Sequence, residues 1–231
     1  MNPTGQLFRR LSRLRGKRVF HPFGVGFAAR LTPLGEGGAG AAMFEREAEA
    51  QVRLSRSFGL PEWAPDPCGL AFRVPDAYGP GRHQDLLLVS SAAPPGGRHT
   101  LLPSRGFCDR PYSCVLPYRL RGETVMIGAR ASAPGPGPKL RDLAEREVGG
   151  LEFELAVAGL KDEWRPAARL TLGERLPSER TERLDLDPTN CGGGLEPAGL
   201  LNRLRGPAYA GSQAGREAAY RQHGLPERRN P

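Results

Sequence analysis

No stretch of the 231-residue chain is apolar for long enough to span a membrane. The Arg-rich start lacks the apolar core of a secretory leader. Cysteine is scarce. Cys68, Cys108, Cys114 and Cys191 form no C-x-x-C pair and no Cys/His cluster with zinc spacing, so a zinc module and a disulfide scaffold are both excluded. Reduced thiols in a cytoplasmic protein are expected. The Gly-rich loop over residues 36–40 is followed by no Lys-Ser/Thr step, which removes a phosphate-binding loop. Lysine, isoleucine and asparagine are rare beside arginine, alanine, glycine and proline, a pattern of GC-rich coding. Part of the net charge of +8 is therefore incidental. Such a balance permits non-specific nucleic-acid binding, but no nucleic-acid fold motif accompanies it and none is expected as a partner.

What is abundant is punctuation. Glycine (31) and proline (23) approach the level seen in disordered chains. Between them, however, segments of strand character recur, so the chain reads as folded and rich in loops. Residues 69–75, 84–91, 112–118, 124–132, 152–157 and 166–172 alternate and carry β-branched or aromatic residues. Residues 18–34 read as a first strand region broken by Gly24 and Gly26, glycines that mark either a bulge or a close approach of another group to the backbone. Residues 119–123 read as a hairpin turn, residues 139–147 as a short charged helix, and residues 41–57 as helical or mixed. Many short strands with regular turns and few helices indicate an antiparallel β-barrel, and hence an α+β chain. Three parts are expected: a basic helical arm over residues 1–17, one barrel domain over 18–223 and a tail over 224–231. His83 and Asp85 share a strand without a third partner, too little for a metal site.

The chemistry concentrates near the C-terminus, in Arg205-Gly-Pro-Ala-Tyr209-Ala-Gly-Ser-Gln213-Ala-Gly-Arg216. On a helix, Arg205, Tyr209, Gln213 and Arg216 share one face. Guanidinium groups beside a phenol favour the phenolate, and a phenolate is a strong ligand for ferric haem. Tyr209 is thus the candidate metal ligand. Pro207 suits a first helical turn, so the helix is expected to start there with Arg205 just ahead of it.

The spacing Arg205/Tyr209/Gln213/Arg216 resembles the proximal haem helix of the haem catalases. Leu184-Asp-Leu-Asp-Pro-Thr-Asn190 and Gly194-Leu-Glu-Pro197 resemble the segment leading into it. Arg18-Val-Phe-His21-Pro-Phe-Gly-Val-Gly-Phe27 resembles the family's distal-histidine strand, and Arg53-Leu-Ser55 and Asp66-Pro-Cys-Gly-Leu-Ala-Phe-Arg73 resemble the next two segments. The order is the family's own. The resemblance implies a catalase-like barrel with a proximal haem helix and few short helices. It further implies haem b held by Tyr209, with Arg18, Arg53 and Arg216 supplying positive charge to the propionates and Arg205 and Gln213 beside the ligand. It makes His21 the distal acid–base residue, oriented by Ser55.

One departure is visible. The family's distal asparagine, which orients peroxide, falls by resemblance on Ser90, or on Ser91 if the alignment slips by one. A hydroxyl there implies weak dismutation and oxidation of an unidentified small organic substrate by peroxide, as in a peroxidase or peroxygenase. The alternatives are isomerisation of an organic hydroperoxide, as in catalase-related allene oxide synthases, and a non-catalytic haem-binding or redox-sensing module. The resemblance also leaves a homo-oligomer open.

Overall fold

The computed structural model describes residues 21, 23–35, 44–135, 137–145 and 150–199. The basic arm, the proximal segment with Arg205, Tyr209, Gln213 and Arg216, the tail and Arg18 all lie outside these residues.

Ten antiparallel strands follow one another: β1 (Phe23–Pro33), β2 (Ala48–Arg56), β3 (Cys68–Val74), β4 (Gln84–Ser90), β5 (Tyr112–Ser113), β6 (Tyr118–Leu120), β7 (Glu123–Ala131), β8 (Glu152–Gly159), β9 (Arg165–Arg175) and β10 (Leu195–Pro197). Among the described residues two α-helices, α1 (Leu140–Glu145) and α2 (Ser178–Arg183), and one 3-10 helix, Pro95–His99, interrupt them. The strand order β7-β5-β4-β3-β2-β1-β9-β8 closes on itself because β8 also pairs with β7, while β6 and β10 extend the sheet from β7. Closure into an eight-stranded barrel removes the exposed sheet edges.

Strand alternation sorts side chains between the two faces of the wall. Phe27, Val52, Leu54, Leu70, Phe72, Leu86 and Leu88 are in cross-strand register or alternate with one another and fill the interior from one side. Ala129, Leu155, Ala168 and Leu170 fill it from the other. The expected hairpin is present: Arg121 and Gly122 link β6 to β7 with φ of 49° and 92°, the left-handed pair that a two-residue hairpin turn requires.

The sequence reading needs one correction in this region. Residues 48–56 are a strand, not a helix. The run Glu45-Arg-Glu-Ala-Glu-Ala50 has helix-favouring composition, but Ala50, Val52 and Leu54 alternate into the barrel and pairing on both sides holds the segment extended. Residues 112–118 also divide, into β5 and the start of β6, with Val115 at φ 61° between them.

A buried carboxylate ties the later chain to this wall. Asp85 of β4 is fully buried and takes a forked pair of hydrogen bonds from Arg73, both at 2.7 Å. Its Oδ2 also accepts from the Asp187 backbone N–H at 3.0 Å and from Asn190 Nδ2 at 3.2 Å. Arg73 in turn donates to the Asp185 carbonyl at 2.7 Å. The segment Leu184-Asp-Leu-Asp-Pro-Thr-Asn190 is therefore docked on the Arg73–Asp85 ion pair. His83, the other half of the excluded metal pair, accepts the Asp76 N–H at 3.0 Å.

Candidate distal site

His21 immediately precedes β1 with φ 57°, a left-handed conformation that a non-glycine residue adopts only when its surroundings hold it. Three contacts with β2 and its continuation do so. The His21 N–H donates to the Ser57 carbonyl at 2.9 Å. Its own carbonyl accepts from Arg53 Nη2 at 3.1 Å. Its ring Nδ1 meets Ser55 Oγ at 2.8 Å. A hydroxyl on Nδ1 sets which ring nitrogen is left to work, and here that nitrogen is Nε2.

Arg53 and Ser55 project from β2 on the face opposite the core residues Val52 and Leu54, yet both are buried, at 3% exposure each. Their neighbours in register explain how they fit. Ser55 lies between Gly24 of β1 and Gly69 of β3. A Cβ on Gly24 would come within 2.6 Å of Arg53 Cζ and 2.8 Å of the Leu54 carbonyl oxygen. A Cβ on Gly69 would come within 2.5 Å of His21 Cε1, 2.6 Å of Nδ1 and 2.8 Å of Ser55 Oγ. The two glycines thus clear the wall for a guanidinium on one side and an imidazole on the other. Gly69→Ala is accordingly expected to expel the His21 ring from Ser55. NMR of the histidine ring nitrogens would show loss of the Nδ1 hydrogen bond, and an unchanged Nδ1 signal would contradict this packing.

The structure does not bring Ser90 to this site. Ser90 pairs with Tyr112, and that register places it on the interior face with Ala129 and Leu155. Its hydroxyl is fully buried, donating to the Leu102 carbonyl at 2.6 Å and accepting the Cys68 N–H at 2.9 Å. Ser91 donates to the Ala92 carbonyl at 3.5 Å. The residue beside Gly69 on the His21 face is Val89. A one-residue shift exchanges the faces of a strand, so Ser90 faces away from the side that Val89 occupies. The alternation of Leu86 and Leu88 into the core was the signal that would have found Val89.

Sequence reasoning also passed over Ser57. Its hydroxyl, at 2% exposure, lies 3.4 Å from His21 Nε2. Beyond it, Arg56 and Asp66 shape the loop over residues 58–66. Arg56 Nη2 donates to the carbonyls of Pro61 (3.2 Å) and Ala64 (2.6 Å), and the Asp66 carboxylate accepts the Phe58 and Leu60 N–H groups, each at 3.0 Å. So held, the loop presents Phe58, Leu60 and Trp63 to the surface, with Trp63 at 83% exposure.

Other groups are excluded by their surroundings. Burial pushes the Cys68 thiol up to about 12; burial, with nearby carboxylates adding to it, takes Cys191 to about 11. Neither is a thiolate at neutral pH. Tyr78 and Tyr112 are also raised by burial, opposite to what a phenolate ligand needs. Among the described residues, no three His, Cys, Asp or Glu side chains gather as a metal site, and no helix is long and apolar enough to cross a membrane.

The barrel has counterparts among solved structures. A fungal catalase superposes with a TM-score of 0.62 over 88% of this chain at 14% identity, a bacterial catalase with 0.61 over 97% at 14%, and catalase A from Saccharomyces cerevisiae with 0.59 over 88% at 10%. The fold is that of the catalases. The chain spans 60–63% of the length of these three proteins. By sequence, no protein-family model and no curated protein matches the chain. The catalase-like barrel expected from the resemblance is thus present at an identity where the fold, and not the activity, is what the likeness establishes.

Proposed function

We propose that this catalase-like barrel is a haem-dependent, peroxide-using oxidoreductase that oxidises a small organic donor and dismutates hydrogen peroxide only weakly. The observation that carries the reading is the His21–Ser55 pair at 2.8 Å on a wall cleared by Gly24 and Gly69, with the Arg53 guanidinium beside it.

These residues fit one side of a haem pocket. The glycines let the His21 ring and the Arg53 guanidinium lie close against the wall, and a buried fork-shaped cation suits a propionate. Arg53, with Arg18 and Arg216, would hold the propionates. Tyr209 would be the iron ligand, supported by Arg205, Gln213 and Arg216. The bound iron would supply the redox chemistry. The chain's own work is proton handling. His21 Nε2 takes the proton from one peroxide oxygen and returns it to the other, while Ser55 fixes the opposite ring nitrogen. Ser90, which the resemblance puts in place of the catalases' asparagine, spends its hydroxyl inside the barrel, and Val89 on the His21 face has no polar side chain, so a second peroxide is poorly positioned. The exposed apolar side chains of the 58–66 loop, Phe58, Leu60 and Trp63, favour an organic donor.

Two assays on one haem-loaded preparation test the reading: oxygen evolution from hydrogen peroxide, and peroxide-dependent oxidation of a chromogenic phenol. Phenol oxidation is expected to outrun oxygen release. Fast oxygen evolution without phenol oxidation would mean a small true catalase. Inactivity in both, with haem present, would favour the isomerase or sensor.

A further inference from the structure

We propose that Ser57 is a second distal catalytic residue, a hydroxyl that holds one oxygen of the peroxide while His21 Nε2 serves the other. The inference rests on the peroxide-using reading above. Its basis is geometric. Ser57 shares the outer face of the β2 line with Ser55, two residues on, so one imidazole is met by a hydroxyl at each nitrogen: Ser55 at 2.8 Å from Nδ1 and Ser57 at 3.4 Å from Nε2. The two distances imply different tasks. At 2.8 Å the Ser55 contact is a full hydrogen bond that fixes the ring. At 3.4 Å the Ser57 contact is a long hydrogen bond that keeps a donor–acceptor group beside Nε2. Catalytic hydrogen bonds are often long before substrate arrives.

The backbone makes this placement rigid. The Ser57 N–H donates to the Pro67 carbonyl at 2.8 Å, and its carbonyl accepts the His21 N–H at 2.9 Å. Ser57 and His21 are thus locked to each other independently of the side-chain contact. A hydroxyl both donates and accepts, so it can serve either oxygen of a peroxide. The neighbouring position on the same face is the aliphatic Val89, and Ser90 is spent inside the barrel. Ser57 therefore supplies the polar function that position 89 lacks. One proton leaves the oxygen facing Nε2 and is returned from Nε2 to the oxygen held by Ser57, which departs as water when the O–O bond breaks; the two electrons would come from bound haem, and the Ser57 proton is conserved.

The test uses the full chain with Ser57→Ala and Ser57→Thr. In haem-loaded protein, S57A is expected to lower kcat/KM for hydrogen peroxide by roughly tenfold to a hundredfold, the effect of losing a hydrogen bond to a charged or developing-charge group, and S57T to recover most of it. In haem-free protein, nitrogen-15 NMR is expected to show the Nε2 signal of His21 displaced in S57A, the Nδ1 signal unchanged, and both restored in S57T. Peroxide kinetics in S57A equal to wild type overturn the proposal while leaving the peroxide-using reading intact. A haem-loaded wild type that ignores peroxide overturns both.

Discussion

Replacing His21 with alanine is expected to slow peroxide-dependent phenol oxidation by about 10²–10⁴-fold, the usual worth of general acid–base assistance, with haem content unchanged. Haem content should be spared because His21 meets the protein through its backbone and Ser55, while charge at the pocket comes from Arg53. Alanine gives up the ring but keeps a backbone N–H for the Ser57 carbonyl. Added imidazole should restore part of the rate, since the space over Gly69 is shaped to the ring. Stopped-flow measurement of the peroxide step separates the outcomes. A rate within threefold of wild type would remove His21 from the chemistry, and a parallel loss of haem would make its role structural.

The second large effect is on stability. Asp85→Ala leaves the Arg73 guanidinium, with 17% side-chain exposure, without its carboxylate, and it frees the Asp187 and Asn190 donors. Breaking a buried pair by removing one partner costs about 3–5 kcal/mol. For a domain of this size that lowers Tm by roughly 6–20 °C. Because Asp85 docks the 184–190 segment, and the chain continues from there toward Tyr209, haem retention should fall as well. A double variant, Arg73→Ala with Asp85→Ala, decides the cause. If the ion pair is responsible, the double variant is little worse than D85A alone. Additive losses would show that the two residues act separately.

The barrel was legible because its signals are local. Period-two alternation marked β3, β4, β7, β8 and β9, and Arg121-Gly122 marked the hairpin. Residues 48–56 were obscured because their charged start favours a helix, and only pairing with β1 and β3 overrides it. The 178–183 helix and β10 were not foreseen. The helix is a single charged turn-and-a-half whose Thr181 packs over Gly26, and β10 is three residues that exist by pairing with β6. In the motif Arg53-Leu-Ser55 both polar residues sit on one strand face, and both contact His21. Ser90 was misplaced because facing depends on a register that residue spacing alone does not set. Ser57 was missed for a different reason: its proximity to Nε2 depends on the left-handed backbone of His21, which carries no sequence pattern.

The absorption spectrum of the purified protein, taken after saturation with haemin and removal of the excess, tests the central claim most directly. The account predicts a Soret band at one haem per chain with the features of a ferric iron bound by a phenolate, and their disappearance in Tyr209→Phe. A protein that returns from gel filtration without a Soret band, or a Tyr209→Phe variant with the wild-type spectrum, would contradict it.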